Sequence, residues 1–303
     1  MKTTMDYFYL KLGRGNALAK ESLVGCRKPS ATIFFDDLTA ADYASGKGGK
    51  EPREFVLRGQ PGMWGQTLMV VIHDGEVWVL RPAGAVKFLS SQTDESGHQN
   101  TPKVMPVEIV AHRPCKDVPH VLAGIGSNQF YTRGTFRQMN DWGNYKAIDW
   151  VAGRVGQGEH WDLAKHGPDQ LLECLSSTEL ETLVAKLFEA HGCFVPAYRG
   201  GMMKDIDLFA QNEGTQPIRV GPLTIRPRGS VSIQVKRWAE GMTCPDSADC
   251  LVGLGVTGPD TINAGQLLAL VNEAAAVRAW LRRSLHWLPE EFLNCAKLEQ
   301  VTQ

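Results

Sequence analysis

Two short segments in the C-terminal half of the chain carry polar side chains at a spacing that suits metal-dependent chemistry. One reads Lys-Asp-Ile-Asp-Leu-Phe-Ala and the other Ser-Ile-Gln-Val-Lys-Arg, and their alternation of polar and apolar residues predicts two half-buried strands. Side chains two apart share a face of a strand, so Asp205 lies beside Asp207. Gln234 and Lys236 share a face for the same reason. If the strands pair, these groups could hold a hard divalent cation beside a phosphodiester and activate a water there.

A capped amphipathic helix is predicted just before the first of these strands. Ser177 or Thr178 can serve as its N-cap, and Gly192 stands where a left-handed C-terminal residue is wanted. Glu181 lies on this helix and could face the strands. The apolar residues at helical spacing are Leu180, Leu183, Val184 and Leu187.

This order of elements resembles the Mrr-like branch of the PD-(D/E)xK nuclease superfamily, in which a (Q/E)-x-K variant replaces the (D/E)-x-K pair. The resemblance covers roughly residues 175 to 260 and implies a restriction-endonuclease-like α/β core, in which a mixed central sheet is flanked by helices. The matching segments are Glu181-x-Leu183-Val184-Ala185, Gly200-Gly201, Asp205-Ile206-Asp207 and Gln234-Val235-Lys236.

The resemblance also implies roles for individual residues. Asp207 would be the metal-bridging carboxylate, and Lys236 would position the attacking water. The cofactor would be Mg²⁺, with Mn²⁺ able to substitute. The remaining members of the implied site are Gln234 as a neutral ligand, the backbone carbonyl of Val235 as a further ligand, Glu181 as a helix-borne acid and Asp205 as an auxiliary carboxylate.

The function expected from this site is hydrolysis of DNA phosphodiester bonds by a restriction or phage-defence endonuclease, directed at modified or foreign DNA. Three alternatives stay open. The chain could be a nucleic-acid or nucleotide sensor that does not cut, or a nuclease for branched DNA or RNA. The third alternative is a nuclease-like fold that no longer has catalytic activity. An Asp-x-Asp strand alone is common on solvated edges of sheets, and a lone Gln-x-Lys is weak evidence for a catalytic site.

Overall composition gives little indication of a partner. The 303 residues carry a net charge of −1, so nucleic-acid binding has to be argued locally. Arg226, Arg228 and Arg237 form the basic stripe expected to contact DNA phosphates, although surface arginines often serve only solubility. Because cutting both strands needs two active sites, a homodimer or higher homo-oligomer is expected.

The cellular compartment is inferred from cysteine usage and hydropathy. The seven cysteines form no Cys-x-x-Cys pair and are odd in number, which favours reduced thiols in a cytoplasm over a zinc site. No stretch is long and apolar enough to span a membrane, and the N-terminus lacks the pattern of a signal peptide.

Residues 1–145 predict a β-rich, barrel-like recognition domain. Apolar strands alternate with polar segments, and Asp74-Gly75 predicts a hairpin turn. The segments 43–53 and 90–102 are expected to be loops. Trp64 and Trp78 are candidate walls of a base- or ligand-binding pocket, although such rings often fill a small β core. Residues 146–174 would form a connector, and residues 175–303 the nuclease domain.

Overall fold

The computed structural model describes residues 5–13, 16–93, 97–127, 133–154, 163–196 and 206–298. It is a mixed α+β structure that divides into two compact units. The N-terminal unit comprises Met1–Val118, Leu122–Asp141 and Ala147–Arg154, and the C-terminal unit comprises Pro119–Val121, Trp142–Lys146 and Val155–Gln303.

The N-terminal unit is built on a curled mixed sheet that forms half a barrel. Its strands run in the order β2-β8-β4-β3-β1-β9, with β5 paired to β8, and only β1 and β3 pair in parallel. The strands of this unit are β1 (Asp6–Leu10), β2 (Ser30–Ile33), β3 (Thr67–His73), β4 (Glu76–Pro82), β5 (Lys87–Phe88), β6 (Gln92–Thr93), β7 (Gln99–Asn100), β8 (Lys103–Pro114) and β9 (Phe136–Gln138).

The hairpin between β3 and β4 turns where the sequence predicts. His73 pairs with Glu76, and the two residues between them, Asp74 and Gly75, have φ of 50° and 74°. Two successive left-handed residues define the type I′ turn, whose twist matches that of the flanking strands. The prediction of a turn at Asp74-Gly75 is therefore confirmed.

Helices cover part of the N-terminal unit where the sequence predicts a loop. The segment 43–53 overlaps α2 (Ala40–Ala44) and α3 (Lys50–Arg58), so that prediction is wrong. Thr39 begins α2 with a capping box that it shares with Asp42. The segment 90–102 contains the small pair of strands β6 and β7. The other short helices here are α1 (Ala19–Leu23) and a 3₁₀ helix (Pro61–Gln66).

The C-terminal unit contains the strands predicted to carry the site. Four strands run in the order β10-β13-β14-β15, with β10 antiparallel to β13 and the other pairs parallel. This sheet is mixed, as predicted. Its strands are β10 (Leu208–Gln211), β13 (Ser230–Lys236), β14 (Cys250–Gly253) and β15 (Thr261–Asn263). Along the chain, β10 and β13 are separated by a hairpin of β11 (Ile218–Val220) and β12 (Leu223–Ile225) that forms its own two-stranded sheet.

The predicted helix before the site is present, with a cap one residue earlier than expected. Its N-cap is Ser176, which exchanges hydrogen bonds with Glu179, and Gly192 follows its C-terminus with φ of 92°. This helix packs against β10 and β13. The remaining α-helices, in chain order, are α4 (His120–Ala123), α5 (Trp142–Val151), α6 (Leu163–Glu173), α7 (Ser177–Ala190), α8 (Ala264–Glu273), α9 (Ala275–Ser284) and α10 (Glu290–Cys295). The helix capped by Ser176 is α7.

Candidate active site

The first predicted strand is shorter than its sequence pattern suggests. Strand β10 begins at Leu208, so Asp207 lies just before it, and Asp205 lies outside the described residues. Leu208 pairs with Ile233, and the N–H of Asp207 also donates to the Ile233 carbonyl at 2.9 Å. Two successive residues therefore oppose one, as in a β-bulge, and the regular ladder stops here.

The carboxylate of Asp207 accepts a hydrogen bond from β13 at the point where the backbone pairing of β10 with β13 stops. Its Oδ2 accepts a hydrogen bond from the N–H of Val235 at 2.7 Å, in the place of a strand carbonyl. Its Oδ1 has no hydrogen-bond partner in the part of the chain that the structure describes. Asp207 is half-buried. One oxygen of this carboxylate thus has a structural role, and the other remains available to a ligand.

Gln234 is buried, whereas the sequence places it on a half-exposed face. Strand β13 lies between β10 and β14, and its three successive residues Ile233, Gln234 and Val235 are all buried. Successive side chains point to opposite faces, so both faces of the sheet are covered at this point. Gln234 is 2% exposed. A ligand role for Gln234 therefore requires that its amide serve a site within the protein.

Lys236 is the last residue of β13. Its backbone carbonyl is closely packed, and its side chain is half-exposed. Its carbonyl accepts the N–H of Leu254 at 3.2 Å, and a Cβ on its neighbour Gly253 would lie 2.5 Å from that carbonyl oxygen. Only glycine allows so close an approach at residue 253. Among the described residues, the Lys236 ammonium forms no hydrogen bond or ion pair. It is therefore available to a water or a phosphate oxygen.

The donor atoms near Asp207 suit a hard divalent cation. The N–H and C=O of one residue leave a strand on the same side, so the Val235 carbonyl points toward the edge that holds Asp207. Within the described ranges no three His, Cys, Asp or Glu side chains cluster as a metal site. Mg²⁺ is nevertheless often bound by one or two carboxylates, with water and substrate phosphate as the remaining ligands. The Asp207 Oδ1 and the Val235 carbonyl, both at this edge of β13, are oxygen atoms of the kind that Mg²⁺ binds.

Glu181 is in the first half of α7, next to residues of this helix that are buried. It is half-buried, and its neighbours one turn later, Val184 and Ala185, are completely buried. Residues three and four apart lie on the same side of a helix, so Glu181 borders the buried face. Because this helix packs against α9 as well as against β10 and β13, the predicted role of Glu181 in the site stays a prediction.

The three arginines of the predicted basic stripe are not together. Arg226 and Arg228 are exposed and precede β13, whereas Arg237 follows it. Six steps of about 3.3 Å along the strand separate its two ends by roughly 20 Å. The three arginines therefore do not form one compact stripe, and their contact with DNA phosphates stays a prediction. Arg237 lies at the end of β13 that carries Lys236, where its guanidinium donates to the carbonyl of Glu173.

The two tryptophans proposed as pocket walls in the N-terminal unit differ in exposure. Trp78 is 4% exposed, belongs to the core, and stacks on the His112 ring at 4.8 Å between centroids. It fills the core and offers no open face to a base. Trp64 is partly exposed, and its indole N–H donates to the carbonyl of Gly59 at 2.8 Å. Only Trp64 of this pair has open surface for a ligand.

One exposed aromatic residue beside the site is absent from the sequence-based prediction. Trp238 is 55% exposed and follows Lys236 by two residues. The sequence does indicate that this tryptophan is near the site. It directly follows the Gln-x-Lys-Arg run, at the end of the strand that carries the site. Alternation cannot predict its exposure, because the chain leaves the strand before Trp238.

Two buried cysteines of the C-terminal unit, Cys193 and Cys250, are poor nucleophiles. Burial raises the pKa of Cys193 to about 11. Burial, followed by nearby Cys244, Asp260 and Asp249, raises the pKa of Cys250 to about 12. Both thiols are protonated at neutral pH, and the thiolate is the reactive form of cysteine.

Comparison with known proteins returned no match to this chain among family models, curated proteins or solved structures. Hydropathy adds one finding: within the described ranges, every helix is too short or too polar to cross a bilayer.

Gln234→Glu is expected to destabilise the protein as pH rises. A buried carboxyl has a raised pKa, so the folded state holds its proton longer than the unfolded state. Stability is then unchanged below the unfolded pKa of about 4.3 and falls as pH rises toward the folded pKa. Millimolar Mg²⁺ should restore part of the melting temperature of this variant at pH 8, measured by thermal melts.

The matched control for this prediction is Gln216→Glu, which introduces the same charge at an exposed residue of the same unit. Its melting temperature should follow that of the unaltered protein at each pH and Mg²⁺ concentration. An equal response of the two variants to Mg²⁺ would show that Gln234 is not near a cation site.

Proposed function

We propose that this chain is a metal-dependent endonuclease that hydrolyses phosphodiester bonds of DNA, in restriction or phage defence against modified or foreign DNA. One observation carries the proposal. The carboxylate of Asp207 is hydrogen-bonded to Val235, the residue between Gln234 and Lys236. An aspartate, an amide and an unpaired ammonium thus lie at one end of a mixed sheet, in the chain order of the Mrr-like nucleases.

In this proposal the chain's own groups bind and orient the reactants. Asp207 Oδ1, the Gln234 amide oxygen and the Val235 carbonyl would hold Mg²⁺ or Mn²⁺. When bound, the cation stabilises negative charge on the phosphoryl oxygens and favours deprotonation of water. Lys236 donates a hydrogen bond to the attacking water or to a phosphate oxygen, and its positive charge attracts the DNA strand. Glu181 adds a negative charge on the inward side of α7.

The neutral Gln234 has a consequence for metal affinity. A carboxylate at this position would add a second negative charge, so the site with Gln234 binds the cation modestly until the DNA phosphate contributes its own oxygen atoms. Metal binding and DNA binding should therefore strengthen each other. Two such sites are needed to cut both strands, which favours a homodimer or larger homo-oligomer in the cytoplasm.

A second candidate function is a nucleic-acid sensor that does not cut. It is favoured by the structural use of Asp207 Oδ2 on the Val235 N–H and by the lack of a three-residue acidic, His or Cys cluster among the described residues. The deciding experiment is a nicking assay on supercoiled plasmid with Mg²⁺ or Mn²⁺, run with unmodified and cytosine-modified DNA. If neither DNA is cut with either metal, the sensor replaces the nuclease.

Lys236→Ala is expected to lower the nicking rate by at least about 100-fold, because one positioned charge is lost where negative charge develops. Its side chain is half-exposed, so the stability should change by no more than about 0.5 kcal/mol. The nicking rate and a thermal melt are measured on the same preparation.

Arg219→Ala is the matched control, since it removes one positive charge from an exposed residue of β11, outside the predicted site. It should leave the nicking rate within about threefold of the unaltered protein. If Lys236→Ala nicked the plasmid as fast as Arg219→Ala, Lys236 would have no role in the reaction.

A further inference from the structure

Trp238 is the most exposed large apolar side chain in the described part of the chain, at 55%. It stands two residues beyond Lys236, which is about 7 Å of extended chain. Large aromatic side chains are usually mostly buried, because their apolar area is favourable to remove from water. An open ring beside an unpaired ammonium therefore suggests a ligand that has both a flat apolar part and a negative charge.

The backbone around Trp238 is held in place, so the ring is presented from a fixed support. The next residue, Ala239, is buried and packs in a small cluster with Leu251 and Val256. Its N–H donates to the carbonyl of Leu254 at 3.2 Å. Gly241 continues the attachment through a hydrogen bond to Gly255 at 2.9 Å. A ring on an anchored turn loses little conformational entropy when it binds a ligand.

We propose that Trp238 is a stacking platform for an unpaired nucleobase of the strand whose phosphate lies at Lys236. This proposal rests on the proposed nuclease function and specifies its substrate class. Base faces inside a duplex are covered by their neighbours, so a tryptophan can stack only on a base that is single-stranded, bulged or extruded. The preferred DNA therefore carries an unpaired base next to the phosphate that is cut.

A nucleic-acid strand fits this surface better than an apolar protein partner. A protein covering Trp238 would also cover part of Lys236, whose ammonium has no partner among the described residues. Removing an unpaired charge from water is costly, whereas a phosphate neutralises it.

The test compares two labelled DNA duplexes of the same sequence, one perfectly paired and one with a single bulged base. Affinity is measured by fluorescence anisotropy in EDTA, and cleavage is measured with Mg²⁺. The unaltered protein should bind and cut the bulged duplex better than the paired duplex. Trp238→Ala should weaken binding of the bulged duplex by roughly five- to 100-fold and that of the paired duplex by less than about twofold. Trp238→Phe should retain most of the affinity, because it keeps an aromatic face.

The matched control is Phe194→Ala. Phe194 is an aromatic residue of similar exposure, 50%, and its backbone pairs with Gln211 at the end of β10 away from Asp207. Its loss should change neither affinity. Trp238→Ala overturns the stacking proposal if it leaves binding of the bulged duplex unchanged or weakens both duplexes equally.

The outcomes also separate this proposal from the nuclease proposal. If the protein cuts DNA and depends on Lys236 while Trp238→Ala behaves normally, the nuclease stands and the stacking platform fails. If binding of the bulged duplex depends on Trp238 but no metal supports cleavage, the platform stands in a protein that does not cut. If neither duplex is bound or cut, both proposals fail.

Discussion

Asp207→Asn is expected to reduce DNA cleavage by on the order of a thousandfold while leaving the fold intact. The asparagine amide oxygen can still accept the Val235 N–H, so the connection between the two strands is kept. What is lost is the negative charge that would hold a cation at Oδ1. The nicking rate on plasmid and the denaturant midpoint of the same sample measure the two effects separately.

Asp207→Ala should show the same loss of cleavage together with a loss of stability. The Val235 N–H then has no acceptor in a partly buried position, which costs about 1.5–3 kcal/mol for a hydrogen bond to a charged group. The difference between the alanine and asparagine variants thus isolates the structural role of Asp207 from its chemical role. Equal stability of the two variants would contradict the structural role.

Asp249→Asn provides a control, because Asp249 precedes β14 and contacts the same strand, β13. Asp249 Oδ2 accepts the N–H and the hydroxyl of Ser232, each at 2.7 Å, toward the opposite end of β13. It is an exposed carboxylate that binds strand backbone as Asp207 does, but away from Lys236. Asp249→Asn should cut DNA at the normal rate. Loss of cleavage by both asparagine variants would indicate that the integrity of β13 matters and not the charge at Asp207.

Local signals in the sequence were sufficient for the elements that carry the site. Helix α7 has a regular apolar face, a polar N-terminal cap and a glycine at its end, and it forms as predicted apart from its N-cap at Ser176. The turn at Asp74-Gly75 is fixed by the left-handed conformation of two adjacent residues. Such features depend on residues within one turn or one hairpin, so a single sequence contains them.

Features that depend on distant residues could not be predicted in the same way. The bulge at Asp207 follows from its pairing with Ile233, and the burial of Gln234 follows from the position of β13 between two strands. The helical segment after β15 is divided into two helices, because Ala274 is extended at φ −103° and ψ 96° and separates α8 from α9. Alanine is a good helix former, so composition gives no indication of this break.

Lys103 is another residue that sequence patterns did not single out, and it forms an ion pair in which its own side chain is fully buried. Its side chain is 0% exposed, and its ammonium donates to Asp36 Oδ1 at 2.7 Å, to the Asp36 carbonyl at 3.1 Å and to the Thr101 carbonyl at 2.9 Å. All three donors of the ammonium are thus satisfied. The Tyr43 hydroxyl donates to Asp36 Oδ2 at 2.8 Å, and burial raises the pKa of Tyr43, so this donor stays protonated at neutral pH.

Lys103→Met is therefore expected to lower the free energy of unfolding by about 3 kcal/mol, measured by denaturant titration. Methionine fills a similar volume, but it leaves the Asp36 carboxylate and two carbonyls without their shared donor. Lys47→Met is the control. The Lys47 ammonium lies 2.9 Å from Asp42 Oδ1, a distance similar to that of the Lys103–Asp36 pair, but the Lys47 side chain is 64% exposed. Water screens this exposed pair, so Lys47→Met should change the stability much less than Lys103→Met does.

A double variant distinguishes a lost attraction from a charge left unpaired. If most of the cost of Lys103→Met comes from the isolated Asp36 carboxylate, adding Asp36→Asn should recover part of the stability, so the two changes together cost less than their sum. Strict additivity of the two changes would mean that Lys103 and Asp36 act independently. A Lys103→Met variant no less stable than Lys47→Met would mean that the buried ammonium does not hold the start of β8 in place.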